Sequence, residues 1–302
     1  MGKSDGSGRP NGICAPKRKL MWSIGIYTGD FPFDLSSPDS ITNPVLTARD
    51  VVDVNADFVA DPFMVHEGGT WYMFFEVMNG ATKKGEIGLA TSCDGFAWTY
   101  KQIVLSEPFH LSYPYLFEWE NEYYMIPEAG TSMSVRLYKA FEFPTKWVLS
   151  DILLDGAPFL DTSVIYHNNT WWMFTALPDN GTLLLHLADC LTGTWEKHPG
   201  SPLISGDRQR ARPGGRPIVL DGKVFRFAQD DLQTYGNKVR VFEITEISRT
   251  AYHEQEMSKN PIIAATGSGW NGLGMHTIDL HKTVDDKWNA CVDGIGWQSL
   301  WR

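Results

Sequence analysis

Residues 58–77 read FVADPFMVHEGGTWYMFFEV. A carboxylate, Asp61, stands against a proline at the head of an apolar run, and the returning run ends on a second carboxylate, Glu76. A buried acid costs free energy unless a partner pairs with it or a reaction uses it. The two apolar runs flank a Gly-Gly turn and carry the aromatic residues of a β-hairpin. A single stretch of this kind could be accidental, but the chain repeats it.

DPFMVHEGGTWYMFFE (61–76), YPYLFEWENEYYMIPE (113–128) and DTSVIYHNNTWWMFTA (161–176) align without a gap. Each has a distinctive first residue, an apolar strand, a polar turn and an aromatic pair on the return: Trp71-Tyr72, Tyr123-Tyr124 and Trp171-Trp172. RPGGRPIVLDGKVFRFAQD (212–230) is a looser fourth copy and MHTIDLHKTVDDKWNACVD (275–293) a fifth. Behind the hairpins stand further strand-like runs, among them GEIGLATS, VRLYKA, LLLHLAD and KVRVFEI. Helical periodicity is nearly absent. Four antiparallel strands per unit, repeated five times, predict an all-β fold, a five-bladed β-propeller. A ring must close, and WSIGIYTG (22–29) is placed to add a strand to the last blade. One propeller domain is therefore expected over 21–302. Residues 1–20 are rich in Gly, Ser and Lys, lack an apolar core, and are expected to be a disordered leader or an expression remnant, not a signal peptide.

Composition narrows the function. A formal charge of −10 argues against nucleic acid and anionic membranes, both of which require basic patches. No apolar run approaches the roughly 18 residues that span a bilayer. Cys14, Cys93, Cys190 and Cys291 form no CxxC pair, which argues against a zinc site and for free thiols in a reducing compartment. With no signal peptide in view, the expected location is cytoplasmic. The expected state is a monomer or weak oligomer. Twelve tryptophans suit a β-rich fold or a sugar-binding surface, although Trp71, Trp171 and Trp172 sit inside strands and are expected to be core.

In a propeller the first strand of each blade begins near one mouth of the channel and the second returns to it. The first-strand column (Asp61, Tyr113, Asp161, Arg212, His276) and the second-strand column (Glu76, Glu128, Ala176, Gln229, Asp293) should therefore converge on one funnel. Each residue also has a structural reading. Asp61 could cap a turn and Asp161 could close an Asx-turn. Glu76 and Glu128 could pair with Arg212 and Arg216, and His276 could donate to a core carbonyl. One of Asp230 and Asp231 could simply be solvated.

The ADP that opens the first inner strand, the Asp that opens the third and GWNGLGMH before the fifth resemble the family 43 glycoside hydrolases. WSIGIYTGDFPFDL, EPFHLSYPYLFE, YYMIPEAG and GMHTIDLH are similar to the family 43-like domain at the N-terminus of plant glucosamine inositolphosphorylceramide transferases and to its stand-alone microbial homologues. The resemblance covers about residues 22–302. The plant proteins add a glycosyltransferase domain, for which this chain is too short. The resemblance implies that Asp61 is the general base, that Asp161 tunes and orients the acid, and that His276 faces a central calcium or sodium ion or a water. No cofactor is implied as a requirement, and no cluster in the sequence demands a metal. The family's acidic Glu is missing, because the fourth blade carries RPGGRP instead. Glu128 is the nearest substitute for the acid, with Glu76 and Asp230 as rivals.

The expected function is glycoside hydrolysis or transglycosylation through paired carboxylates. Asp61 would be the base, Glu128 the acid, and Asp161 the charge that holds the acid's proton in place. Arg212, Arg216, Tyr113, Gln229, Glu76, Asp230 and His276 would hold an oligosaccharide or polysaccharide, with two arginines hinting at an anionic sugar and the family at a furanose. The rival expectation is a non-catalytic carbohydrate-binding propeller associated with glycan or glycolipid synthesis. A protein-binding propeller of the WD type is disfavoured, since its Gly-His and Trp-Asp signatures are missing from the blades.

Overall fold

The structure is a computed structural model that describes residues 18–299. It has five blades, each built on four antiparallel strands. From the channel outward, blade one is Ala56–Glu67, Thr70–Asn79, Lys84–Ser92 and Thr99–Leu105. Blade two is Ser112–Trp119, Glu122–Glu128, Ser134–Glu142 and Lys146–Asp155, and blade three is Leu160–His167, Thr170–Ala176, Leu183–Ala188 and Glu196–Lys197. Blade four is Ile218–Leu220, Lys223–Asp230, Lys238–Ile247 and Tyr252–Glu256, with Ile263–Ala264 also pairing on its third strand. Among the described residues there is no α-helix, only two short 3-10 turns, and no helix long and apolar enough to cross a membrane.

Blade five closes the ring with both ends of the chain. Ile278–Lys282 is innermost, followed by Trp288–Ser299, then Arg18–Phe31 and Asp34–Ser36. The long N-terminal strand pairs continuously, from Arg18 opposite Ser299 to Gly29 opposite Trp288. The expected closing strand is thus present, and it supplies the third position of the blade. Of the predicted leader, residues 1–17 lie outside the described residues, whereas Arg18, Lys19 and Leu20 open this strand. Cys93, Cys190 and Cys291 are unpaired, and Cys14 lies outside the described residues.

The three gapless repeats share one backbone device. Asp61, Tyr113 and Asp161 all have left-handed φ values, of 53°, 42° and 46°. At each of them the ladder to the second strand slips, between Ala60 and Phe63, between Ser112 and Tyr115, and between Leu160 and Ser163. A bulge re-aims the side chain that it carries. A left-handed non-glycine residue costs about 1–3 kcal/mol and persists only where its surroundings hold it. Asp161 is held by Arg212 and Gln229, and Asp61 and Tyr113 by a relay of hydrogen bonds that runs from blade to blade. Asp61 N–H donates to Asp293 Oδ2 at 3.0 Å, and Tyr113 N–H donates to Asp61 Oδ2 at 3.3 Å. The Tyr113 hydroxyl meets Ser163 Oγ at 3.0 Å, and Ser163 Oγ donates to the Gly215 carbonyl at 3.4 Å. Ile278 N–H then donates to the Gly214 carbonyl at 3.0 Å, which returns the relay to blade five.

Blade four approaches blade five so closely that a Cβ on Gly215 would lie 2.1 Å from the Ile278 carbonyl oxygen. This contact accounts for the RPGGRP sequence at a position where the other blades carry side chains. The aromatic residues Trp71, Trp171 and Trp172 are buried in the blades, as their place in the strands predicts. Ile24 and Ile26 of the closing strand pack with Val59, Met64 and Met73 of blade one. Truncating Ile26 to Ala should therefore cost about 2–5 kcal/mol. Urea unfolding would register this as a lower midpoint at an unchanged slope, since the surface exposed on unfolding is the same.

Candidate active site

The two columns converge on one mouth of the channel, around a cavity of about 250 Å³ lined by Asp61, Glu76, Glu128, Arg212, His276 and six further residues that include Trp22, His110 and Tyr235, besides Ala60. A larger groove of about 730 Å³ lies at the other end of the inner strands, near His66, His281 and Lys287, and contains none of the predicted site residues.

Arg212 organises one wall of the funnel. Its Nε donates to Asp161 Oδ2 at 2.5 Å, a second nitrogen reaches Glu128 Oε2 at 3.3 Å, and a third donates to Asn180 Oδ1 at 3.1 Å. Gln229 Nε2 donates to the same Asp161 oxygen at 2.6 Å and also holds the Pro213 carbonyl. Burial pushes both carboxyls up, but the outcomes diverge. Against that burial, the Arg212 guanidinium holds Asp161 below the usual carboxylate range, helped by a hydrogen bond from Glu128. Glu128 is pushed well up by burial and by the Asp161 charge beside it. The two shifts run in opposite directions, Asp161 toward the ionised form and Glu128 toward the protonated one.

Across the cavity, Asp61 accepts from the Thr277 hydroxyl at 2.7 Å and lies 3.5 Å from His276 Nε2. Burial pushes it up to about 6, with the His276 charge opposing and the Asp293 and Asp161 charges assisting. It is therefore largely ionised above pH 6. Glu76 is pushed well up by burial and by the charges of Asp61 and Glu128. Its Oε1 has no hydrogen-bond partner, and His110 Nε2 stands 3.5 Å away. His110 Nδ1 accepts from Gly85 N–H at 2.8 Å, so its proton sits on Nε2, facing Glu76. Burial lowers its pKa. A Cβ on Gly85 would lie 2.1 Å from the Leu111 carbonyl and 2.8 Å from Glu76 Oε1, so the glycine makes room for this contact.

The remaining predicted residues lie elsewhere. Tyr113 is fully buried beneath the funnel, edge-on to Phe63, and only its backbone N–H serves Asp61. Gln229 supports Asp161 from behind and does not line the cavity. Arg216 points deeper into the channel, where it pairs with Asp279 at 2.7 Å and reaches the Leu116 carbonyl. Asp230 is held by Arg240 at 2.8 Å and by Lys238 at 3.8 Å, away from the cavity. The expectation that these four touch a sugar directly is corrected on that ground: each is already engaged by protein partners outside the cavity lining.

Trp22, His110, Tyr235 and Thr277 were not singled out in advance. Trp22 comes from the closing strand and stacks on His276 at 4.1 Å. Tyr235 comes from the loop 231–236, which is tied by Gly236 N–H donating to Asp231 Oδ1 at 2.7 Å, and lies over Arg212 at 5.3 Å. Neither belongs to an aligned column. Thr277 does stand next to His276 in the fifth repeat, and that adjacency was the available signal.

The resemblance implies a central calcium or sodium ion near His276. Oxygen and nitrogen atoms of Asp61, His276 and Asp293 lie within 4.8 Å of one another, the only such group among the described residues. Its donor set does not fit a hard cation. Asp293 Oδ1 already accepts N–H groups from His276 and Thr277, both at 3.0 Å, and Oδ2 accepts from Asp61. His276 Nδ1 lies 2.7 Å from Asp293 Oδ2 but has no hydrogen-bond partner.

The fold and the funnel define a five-bladed β-propeller with a cavity rich in acidic groups at one mouth of its channel. The chain belongs to the family of the N-terminal domain of glucosamine inositolphosphorylceramide transferase 1, whose profile matches residues 14–295. It is 34% identical to that transferase from Oryza sativa subsp. indica, over 93% of this chain and 41% of the relative. It is 32% identical to the one from Arabidopsis thaliana, over 93% of this chain and 40% of the relative. The chain thus spans about two fifths of the curated relatives that it matches. Among solved structures it is similar to a glycosyl hydrolase from Bacteroides ovatus, with a TM-score of 0.62 and 12% identity, over 88% of this chain and 93% of that one. It is also similar to an α-L-arabinofuranosidase from Podospora anserina, with a TM-score of 0.58 and 12% identity, over 92% and 96%. At such identities these likenesses establish the shared propeller fold alone.

The charge assignment predicts a pH signature. Because the folded pKa of Glu128 is raised, the stability it contributes is present below its unfolded pKa and is lost as pH rises through the folded one. Glu128→Gln replaces the protonated carboxyl with a neutral side chain of similar shape and removes this loss. Thermal melts from pH 6 to 9 should show the variant gaining on the parent as pH rises. A constant difference would mean that Glu128 is ionised throughout.

Proposed function

We propose that this propeller cleaves or transfers an O-glycosidic bond of a glycan, with Glu128 as proton donor and Asp61 as general base. The observation that carries this reading is that Asp61 and Glu128 line one cavity, with Arg212 bonded to Asp161 at 2.5 Å and reaching Glu128 at 3.3 Å. This arrangement favours the protonated form of Glu128 and the ionised form of Asp161, while Asp61 across the cavity is pushed up to about 6. Acid and base chemistry at neutral pH needs two titratable groups whose surroundings push them apart in this way. In the forward step Glu128 protonates the departing glycosidic oxygen. Asp61 accepts the proton of the attacking water, or of an acceptor hydroxyl in the transfer reaction. Asp161 stabilises the protonated form of Glu128, and Arg212 keeps Asp161 ionised. The solved hydrolases of similar fold and the transferase relatives both support a glycan as substrate. Arg212 is committed to two carboxylates and Arg216 to Asp279, so neither offers a free guanidinium to an anionic sugar. The proposed ligand is a neutral sugar, either furanose or pyranose.

A second reading is a glycan-binding module without turnover. It is favoured by the contact between Arg212 and Glu128, which ties the proposed acid to the wall, and by relatives named as transferases. A screen against aryl glycosides and neutral polysaccharides, run beside Asp61→Asn, separates the two. The hydrolase reading expects release of sugar that falls by about 100-fold or more in the variant, the usual size of a lost general base. Sugars that raise the melting temperature of both proteins without any release would establish the binding module instead.

A further inference from the structure

We propose that Glu76 and His110 form the specificity-determining pair of the funnel, and that together they recognise one free hydroxyl of a neutral sugar. The proposal rests on the reading of the funnel as a glycan site and names what that site selects. Five acids crowd the channel mouth, and four of them are engaged: Asp61 by Thr277, Asp161 and Glu128 by Arg212, and Asp293 by backbone N–H groups. Glu76 is the exception. It is 5% exposed and lines the cavity, yet its carboxyl makes no hydrogen bond among the described residues. A polar group buried to this extent is expected to have a partner, in the protein or in a ligand.

Beside it stands an unused donor. Gly85 N–H fixes the His110 tautomer by donating to Nδ1 at 2.8 Å, so Nε2 carries the proton. Nε2 lies 3.5 Å from Glu76 Oε1, longer than an N–H···O hydrogen bond. His110 also lines the cavity, and its side chain is 31% exposed. Gly85 brings the two together, since a Cβ there would lie 2.8 Å from both Glu76 Oε1 and His110 Cε1. A donor and a carboxyl side by side in one wall define the group that fits them. A hydroxyl accepts from Nε2–H and donates to a carboxylate; with Glu76 protonated, its two lone pairs accept from both. An ammonium has no lone pair for Nε2–H, and an anion would join a mouth that already holds more acids than cations. Phe58 and Met78, paired across the first two strands of blade one beside the Ala60–Glu76 pair, also line the cavity and offer an apolar surface to the C–H groups of a sugar ring.

The test is calorimetric titration of the full chain with methyl glycosides of xylose, arabinose, glucose and galactose, each run beside its single-deoxy analogues. For a glycoside that binds, loss of one particular hydroxyl should weaken binding roughly tenfold or more, the effect of leaving buried polar groups unmatched. In Glu76→Ala that glycoside and its deoxy analogue should bind alike. His110→Phe, which keeps a ring without an N–H, should lose the discrimination too, and His110→Gln, which restores an N–H, should recover part of it. The proposal is overturned if none of the glycosides binds, if no single hydroxyl matters to the parent, or if Glu76→Ala still discriminates. An aminodeoxy analogue that binds more tightly than the hydroxyl sugar would overturn it as well. Turnover without hydroxyl discrimination removes this inference and leaves the catalytic reading standing, whereas discrimination without turnover does the reverse. Should Glu76→Ala fail to fold, the deoxy series on the parent and on His110→Phe still decides the matter.

Discussion

The buried carboxylate of Asp293 is the point on which the structure turns. It accepts backbone N–H groups from Asp61 of blade one and from His276 and Thr277 of blade five, and it faces the His276 ring. A buried carboxylate is tolerated only when its lone pairs are filled, and here the donors come from the first and last repeats of the chain. Satisfying that one group therefore requires the ring to be closed. Once Asp61 is fixed in this way, its own carboxylate receives the Tyr113 N–H of blade two, and the relay runs on through Ser163 and Gly215. The left-handed residues at the heads of the inner strands are the local cost of this arrangement, and the relay is what offsets it.

The site follows from the same closure. Five acidic groups, Asp61, Glu76, Glu128, Asp161 and Asp293, gather near two cations, Arg212 and His276. Burial and crowding prevent all five from ionising together. The structure resolves the conflict unevenly, since Arg212 favours the charge on Asp161 and leaves Glu128 to keep its proton. The resulting difference between Asp161 and Glu128 is a consequence of where Arg212 sits among five acids.

Much of this was legible in the repeats. Hairpins of equal length with matching aromatic pairs specify their strands locally, because side-chain alternation and turn residues act over a few positions. Asp61, Glu128, Asp161, Arg212 and His276 fall at one mouth because equivalent positions in a rotationally repeated fold occupy equivalent places. The fourth repeat departs from this pattern, because the close approach of Gly215 to Ile278 leaves only Ile218–Leu220 as regular inner strand. Arg216 and Asp230 illustrate the limit. Both lie near a column in sequence, yet an offset of four residues from Arg212 moves Arg216 out of the cavity lining, and an offset of one from Gln229 turns Asp230 toward Arg240.

By itself, the sequence determined the number of blades, the strand order within the first three and the identity of the acids at the channel mouth. All of these depend on short-range periodicity. Only the tertiary structure decided which acid pairs with Arg212, that Asp279 takes Arg216, and that Trp22, His110 and Tyr235 complete the funnel. These contacts join a closing strand and two loops that share no repeat position, and they exist only after blade five has brought residue 22 against residue 276. The protonation states are more distant still from the sequence, because they depend on burial and on charges that converge from several blades.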